Sequence, residues 1–206
     1  MSSLEATDHG DTDHGEESAS AHEDGVDPHF FTDPTRMADA VSHLGSCITD
    51  AVPALGSSAE PGVTAPFLQQ SATYRDRLLD LDAEIASTLE AVPESDRVLI
   101  TNHEVFGYFA DRYGFEVLGT VIPSTSSQAQ ADAESLTDLA QLIEQRGVPA
   151  IFADTSSPED LVDALAAETG GVEVVELYSE SLDPDGAPTY VEMMRENARR
   201  VADALS

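Results

Sequence analysis

Strand and helix patterns alternate from Arg97 to the C-terminus, and this alternation restricts the fold more than any other feature of the chain. Short apolar runs typical of buried strands are separated by segments with the three- and four-residue apolar spacing of helices. The predicted strands are 98–100, 116–121, 149–152 and 172–177, and the predicted helices are 104–112, 133–145, 158–168 and 189–204. Repeated strand–helix–strand units predict an α/β fold with a doubly wound, mostly parallel sheet and right-handed crossovers.

Two more helices are predicted before this region. The first begins at Pro34 and ends near Asp50, with Asp33 as its N-cap. Its apolar series includes Cys47, which predicts a buried, unreactive thiol. The second, predicted over 71–93 after a loop at 53–65, has the clearest periodicity in the chain. Its apolar residues are Tyr74, Leu78, Leu81, Ile85, Leu89 and Val92.

The first 26 residues differ from the rest of the chain because they are acidic, contain few apolar residues and include several histidines. A segment of this composition cannot bury enough surface to offset the entropy of ordering, so it is predicted to be disordered. Its histidines are expected to capture metal weakly and exchangeably. They are His9, His14 and His22.

The formal net charge of −31 arises from 40 Asp and Glu against nine Arg, with no Lys. Such a chain is a poor partner for nucleic acids and for anionic membranes, both of which bind through basic residues. The acidic residues are spread along the whole sequence, which is typical of a halophilic protein whose surface repulsion is screened by concentrated salt.

Three side chains that can bind metal follow predicted strands. His103 follows the first strand, Asp154 the third and Glu180 the fourth. Ligands of open α/β sheets bind beyond the carboxyl ends of the strands, so these groups are expected at one edge of the sheet. His29 lies between stiff and apolar neighbours at the end of the leader. Imidazole and carboxylate groups suit Zn and also Mn, and the sequence therefore predicts a transition-metal site.

Catalytic patterns are weaker than the metal pattern. The chain contains no Gly-x-Ser-x-Gly elbow, phosphate-binding loop or dinucleotide-binding glycine motif. His103-Glu104 matches half of a zinc-protease motif, but position 107 is Gly where that motif requires a second His. An enzyme is not expected. Two alternatives remain: a metal-dependent hydrolase using His103 and Glu180 around an open zinc position, and a non-functional fragment that only buffers metal.

Four ordered stretches carry motifs of a known family. They are 27–34 (Asp-Pro-His-Phe-Phe-Thr-Asp-Pro), 101–109 with Tyr113-Gly114, 151–154, and 177–182 followed by Tyr190, Met193, Met194 and Asn197. Together they resemble the solute-binding proteins of zinc and manganese ABC importers. An acidic, His-rich segment before Asp-Pro-His is typical of the zinc-binding members.

The resemblance implies two α/β lobes joined by a long helix, with the transported metal held between them. His29 would be a ligand from the N-terminal lobe, and His103 and Glu180 would be ligands from the C-terminal lobe. A further His ligand would lie outside this chain. Asp154 matches an acidic position that would support the ligands. His at 103 favours Zn over Mn, and the ion would be delivered to a membrane permease by a monomeric binding protein.

The resemblance also divides the chain into four parts: a disordered segment 1–26, an N-terminal-lobe remnant 27–70, a linking helix 71–93 and a metal-binding lobe 94–206. Phe31 replaces the family's usual Trp, and Glu180 replaces its usual Asp, which lengthens that ligand by one methylene. The family's secretion signal, lipid-attachment Cys and first strands have no counterpart before Met1. A truncated product or a misplaced start is therefore expected. The full-length form would be extracytoplasmic and tethered to the outer face of the cell membrane.

Overall fold

The computed structural model describes residues 27–51, 64–101, 104–120, 133–155 and 159–206. The predicted leader with His9, His14 and His22 lies outside these residues. So do His103 and nearly all of the predicted loop at 53–65.

The described residues form six α-helices and four strands, in the order the sequence predicts. The helices are α1 (Pro34–Ala51), α2 (Thr64–Leu89), α3 (Gly107–Tyr113), α4 (Ala133–Arg146), α5 (Glu159–Glu168) and α6 (Tyr190–Leu205), and the strands are β1 (Val98–Thr101), β2 (Glu116–Thr120), β3 (Ala150–Asp154) and β4 (Glu173–Leu177). Short 3-10 helices occupy Phe30–Thr32 and Glu94–Asp96.

Helix α2 differs most from its predicted bounds, since it begins at Thr64 instead of 71 and ends at Leu89 instead of 93. Pro66 lies in its first turn, where a missing backbone N–H costs nothing. Val92 lies in a turn after the helix but is only 1% exposed. The apolar periodicity therefore continues past the point where the helix ends.

The four described strands form one parallel sheet in the order β2-β1-β3-β4, which confirms the predicted α/β fold. The chain adds β2 on one side of β1 and β3 on the other, so the strand order reverses between β1 and β3. The crevice beyond the carboxyl ends of such strands is the usual ligand position in open α/β sheets. Thr101 and Asp154 are the last residues of β1 and β3.

Alternate residues of the strands face two separate cores. Leu99 and Phe152 point into a large core with α2, α3 and α6. Ile100 and Ile151 point into a smaller core with α4 and α5. The sheet is thus covered on both faces, as expected for parallel strands.

Helix α3 is joined to α2 through the buried carboxylate of Asp82. Arg112 donates from Nε to this carboxylate at 2.8 Å, and the Tyr113 hydroxyl donates to it at 3.0 Å. Burial, and then the neighbouring charge of Asp82, raise the pKa of Tyr113, so its hydroxyl remains a donor. The network holds α3, and the turn that precedes it, against the long helix.

Helix α1 begins as predicted, because the Asp33 carboxylate accepts the backbone N–H of Thr35 at 2.8 Å and acts as the N-cap. The prediction for Cys47 was wrong, since its thiol is exposed. Its Sγ also lies 3.6 Å from Nε2 of His43, so an imidazole is nearby. The reason is that α1 packs mainly on α2, which leaves the opposite apolar side, including Leu44 at 59% exposure, uncovered by described residues.

None of the described helices combines the length and the apolar character needed to cross a membrane.

Candidate metal centre

His29 is a buried histidine whose ring orientation is fixed by Asp27. The Asp27 Oδ1 atom accepts the backbone N–H of His29 at 2.9 Å and lies 2.7 Å from its Nδ1. With the Nδ1 proton donated to this carboxylate, Nε2 carries the lone pair that a metal requires. A carboxylate on the second ring nitrogen is the usual companion of a metal-binding histidine. The residue is 5% exposed, so its ring has little freedom to turn.

The segment 27–33 that carries His29 is tied to the rest of the molecule by three side-chain hydroxyls. Two of these bonds involve α3 or the turn before it, and the third comes from α6. The bonds run from Thr32 Oγ1 to Val105 O (3.4 Å), from Tyr108 Oη to Asp27 O (3.3 Å) and from Tyr190 Oη to Phe31 O (2.8 Å). His29 is therefore positioned by residues that are distant in sequence.

Glu180 lies in a loop whose first residues are rigidly held. The buried side chain of Asn197 accepts from the Tyr178 backbone N–H at 2.9 Å and donates to its carbonyl at 2.6 Å. The Tyr178 hydroxyl donates to Asp183 at 3.1 Å. The backbone N–H of Asp185 also donates to Asp183 and lowers the pKa of that carboxyl. The loop is thus closed on itself, while the Glu180 side chain projects from it and is 53% exposed.

The candidate ligand atoms of these two segments approach each other closely. Glu180 Oε1 lies 3.8 Å from His29 Nε2. Two donors at ~2.0–2.2 Å from one tetrahedral Zn are about 3.4 Å apart, so a movement of a few tenths of an ångström would let both bind one ion. The exposed carboxylate of Glu180 is free to make that adjustment.

The other predicted site residues are described only in part. Asp154 is the last residue of β3, beside Leu177 of β4, and is 2% exposed. His103 lies outside the described residues, two positions after the end of β1. Within the described ranges, no group of three or more His, Cys, Asp or Glu side chains could hold a metal. The structure therefore brings together His29 and Glu180, with Asp27 behind the imidazole.

An open groove of about 610 Å³ lies beside Glu180. Its walls are largely apolar, and it also touches Ser179, whose buried hydroxyl has no hydrogen-bond partner among the described residues. The lining residues are Phe30, Phe31, Met37, Ser179, Glu180, Ser181, Leu182, Tyr190 and Met193.

Sequence reasoning missed the role of Asp27. The signal was present as Asp-x-His, because an Asp side chain readily accepts the backbone N–H two residues later. That local bond also brings the carboxylate within reach of the imidazole.

Comparisons with family models, with curated proteins and with solved structures all match this chain to the same family. The family model described as ZnuA, zinc-uptake complex component A, periplasmic, matches residues 2–204. The zinc-binding protein TroA of Treponema pallidum is 37% identical over 153 residues, covering 71% of this chain and 49% of TroA. The manganese-binding lipoprotein MntA of Bacillus subtilis is 29% identical over 163 residues, covering 76% and 53%. The chain thus spans about half the length of the curated relatives it matches.

Solved structures agree with this result. The periplasmic zinc-binding protein TroA from Treponema pallidum matches with a TM-score of 0.78 and 32% identity, over 92% of this chain and 68% of that one. A manganese-bound periplasmic metal-binding protein from Candidatus Liberibacter asiaticus, an S38A mutant, matches with a TM-score of 0.76 over 92% and 67%. Its identity is 19%, so it supports the fold alone.

Proposed function

This chain belongs to the family of ZnuA, the solute-binding component of metal ABC importers, and we propose that it binds Zn²⁺ as a transported ion and delivers it to a membrane permease. The ligands proposed are His29, His103 and Glu180. Asp154 is proposed to orient them from the end of β3.

One observation carries this proposal. Two side chains on segments 151 positions apart (180 − 29) place an imidazole nitrogen and a carboxylate oxygen 3.8 Å from each other. The Nδ1 atom of the imidazole is already engaged by Asp27, which leaves Nε2 directed at Glu180. A buried imidazole prepared in this way is suited to holding a divalent ion.

Zinc is favoured over manganese because the proposed ligands include two imidazoles. Imidazole nitrogen suits Zn, whereas sites made of oxygen ligands alone suit Mn. The relatives TroA and MntA are a zinc-binding and a manganese-binding protein. Manganese is therefore the second candidate. His9, His14 and His22 are proposed to form a weak, exchangeable capture segment.

The family consists of substrate-binding transport proteins, and no specific observation favours the hydrolase alternative. We place the working protein outside the cytoplasm, in accord with the periplasmic family and a lipoprotein relative. A monomer is proposed, with no nucleic-acid partner. The net charge of −31 supports a halophilic setting.

The decisive test is isothermal titration of the full chain with Zn²⁺, compared with His103→Ala and with a chain lacking residues 1–24. We expect one tight site that survives the deletion and is lost in His103→Ala. Loss of all binding on deletion would instead favour a metal-buffering fragment. Unchanged affinity in His103→Ala would contradict the proposed ligand set.

A further inference from the structure

Tyr190 connects the two segments that carry the described ligands. It is the first residue of α6, and its hydroxyl donates to the Phe31 carbonyl at 2.8 Å, across 159 positions of sequence. Phe31 lies two residues after His29, and Tyr190 follows the loop that carries Glu180. Among the three hydroxyl bonds that hold the His29 segment, this one alone comes from the Glu180 side.

Helix α6, which carries Tyr190, is held by further hydrogen bonds. The first turn of α6 is capped by Thr189, whose Oγ1 accepts the Glu192 backbone N–H at 3.3 Å. Further along α6, Asn197 binds both backbone groups of Tyr178, at the start of the Glu180 loop. Tyr190 is part of α6, and α6 is hydrogen-bonded to the start of the Glu180 loop. The Tyr190 hydroxyl bond therefore fixes the His29 segment relative to that loop. Burial raises the pKa of Tyr190, so the hydroxyl keeps its proton and remains a donor.

The distance between His29 Nε2 and Glu180 Oε1 affects which ion the two side chains can bind together. For equal bond lengths, two neighbouring donors are closer in an octahedral site, at 90°, than in a tetrahedral site, at 109°. Zn favours four tetrahedral ligands, whereas Mn favours six octahedral ones. The present 3.8 Å between His29 Nε2 and Glu180 Oε1 is nearer to the tetrahedral separation. The Glu180 side chain can close the few tenths of an ångström that a tetrahedral ion needs. A tie that holds the two backbone segments apart opposes the further narrowing that a six-coordinate ion requires.

We propose that Tyr190 is a positioning residue that sets the gap between His29 and Glu180 and thereby favours zinc over manganese. This inference rests on the proposed metal-binding function. It assigns to the Tyr190 hydroxyl a role in selectivity that goes beyond packing against the groove.

The test compares Tyr190→Phe with Tyr108→Phe in the full chain. Each variant keeps its aromatic ring and loses one hydroxyl that binds the His29 segment, but the Tyr108 hydroxyl acts from α3 and not from the helix that follows the Glu180 loop. Dissociation constants for Zn²⁺ and for Mn²⁺ are measured separately by titration calorimetry. The melting temperature of each metal-free variant is recorded as well.

We expect Tyr190→Phe to lower the ratio of zinc to manganese affinity by more than twofold, with the net value of one hydrogen bond, about 12-fold at most, as the upper limit. Tyr108→Phe should change both affinities by the same factor and leave their ratio within twofold of the wild type. A merely structural tyrosine would lower the melting temperature without moving the ratio.

A second variant covers the case in which Tyr190→Phe folds poorly. Thr189→Ala loosens the first turn of α6 without touching the ring or the His29 segment, and it should lower the ratio in the same direction. If the wild type binds zinc and neither variant changes the ratio, the role of Tyr190 is overturned and the proposed function stands. If the wild type binds neither ion, both are overturned.

Discussion

The two described segments that carry proposed ligands are built in opposite ways. His29 is 5% exposed, and both its ring and its backbone N–H are engaged by Asp27. Glu180 stands on a loop that is equally well held, but its own side chain is 53% exposed and projects beside an open groove. One segment presents a fixed donor atom, and the other presents a movable one.

This difference indicates how an ion would bind. A fixed imidazole has already lost its rotational freedom during folding, so binding a metal costs it little further entropy. The carboxylate still has rotamer freedom to lose, up to about 1.5–2 kcal/mol for a Glu side chain. We therefore expect His29 to supply most of the affinity and Glu180 to close the site around the ion.

The largest effect is expected from removing the fixed donor. His29→Ala should weaken zinc binding by more than the ~10–100-fold that is typical of losing an outer partner of a ligand. Glu180→Ala should weaken it less, because a solvent water can replace an exposed carboxylate. Titration calorimetry on both variants checks this order, with His43→Ala on the exposed side of α1 as the control. Equal losses at His29 and Glu180 would remove the distinction between the two segments.

The next effect concerns the group that fixes the imidazole. Asp27→Asn keeps the size of the side chain but replaces the carboxylate that accepts the Nδ1 proton, so zinc affinity should fall by ~10–100-fold. Asp39→Asn removes the same charge from an exposed acid on α1 and serves as the matched control. An affinity loss of the same size in both variants would show that only net charge matters.

A smaller effect is expected from shortening the movable arm. Glu180→Asp removes one methylene, and because the side chain can adjust, zinc affinity should change by less than about tenfold, or about 1.4 kcal/mol. Competition with a fluorescent chelator measures this change. A loss as large as that of Glu180→Ala would mean that the arm is as rigidly placed as His29.

The smallest effect concerns the support beneath the Glu180 loop. Arg200 stacks on Tyr178 at 4.7 Å and pairs with Glu196, which Arg199 also contacts. The hydrogen bond from Arg199, followed by that from Arg200, lowers the pKa of Glu196 to about 2. A carboxyl whose folded pKa is depressed adds stability above its unfolded pKa and loses it as the pH falls towards the folded value.

Between about pH 4.5 and pH 2, the chain should therefore lose the contribution of Glu196. Because the pair is partly exposed and screened, this contribution should be below about 1 kcal/mol. Melting curves of the wild type and Glu196→Gln across this range measure it, since the difference cancels the other titrating acids. A difference that does not shrink with falling pH would contradict the assigned cause.

The sequence predicted the parallel sheet and the order of its strands and helices along the chain because buried strands and amphipathic helices leave periodic apolar patterns. The positions of Asp154 at the end of β3 and of Glu180 in the loop after β4 followed from the same patterns. The predicted C-terminal end of α2 was inaccurate for a physical reason. Val92 continues the apolar face after the helix has ended. Periodicity records which residues are buried and does not record where the backbone leaves the helix.

Partners that are distant in sequence could not be predicted. The bond from Tyr190 to Phe31 depends on how α6 lies against the segment after His29, and no local pattern encodes this relation. Cys47 illustrates the same limit, since its apolar spacing correctly predicted a helix but not which side of that helix is covered.

The exposure of Cys47 has a practical consequence. It is the sole cysteine of the sequence, so a maleimide dye or spin label would attach at one defined position without any mutation. That position lies on α1, the helix that directly continues the His29 segment. A probe there would report in real time whether α1 and the His29 segment move when an ion is added.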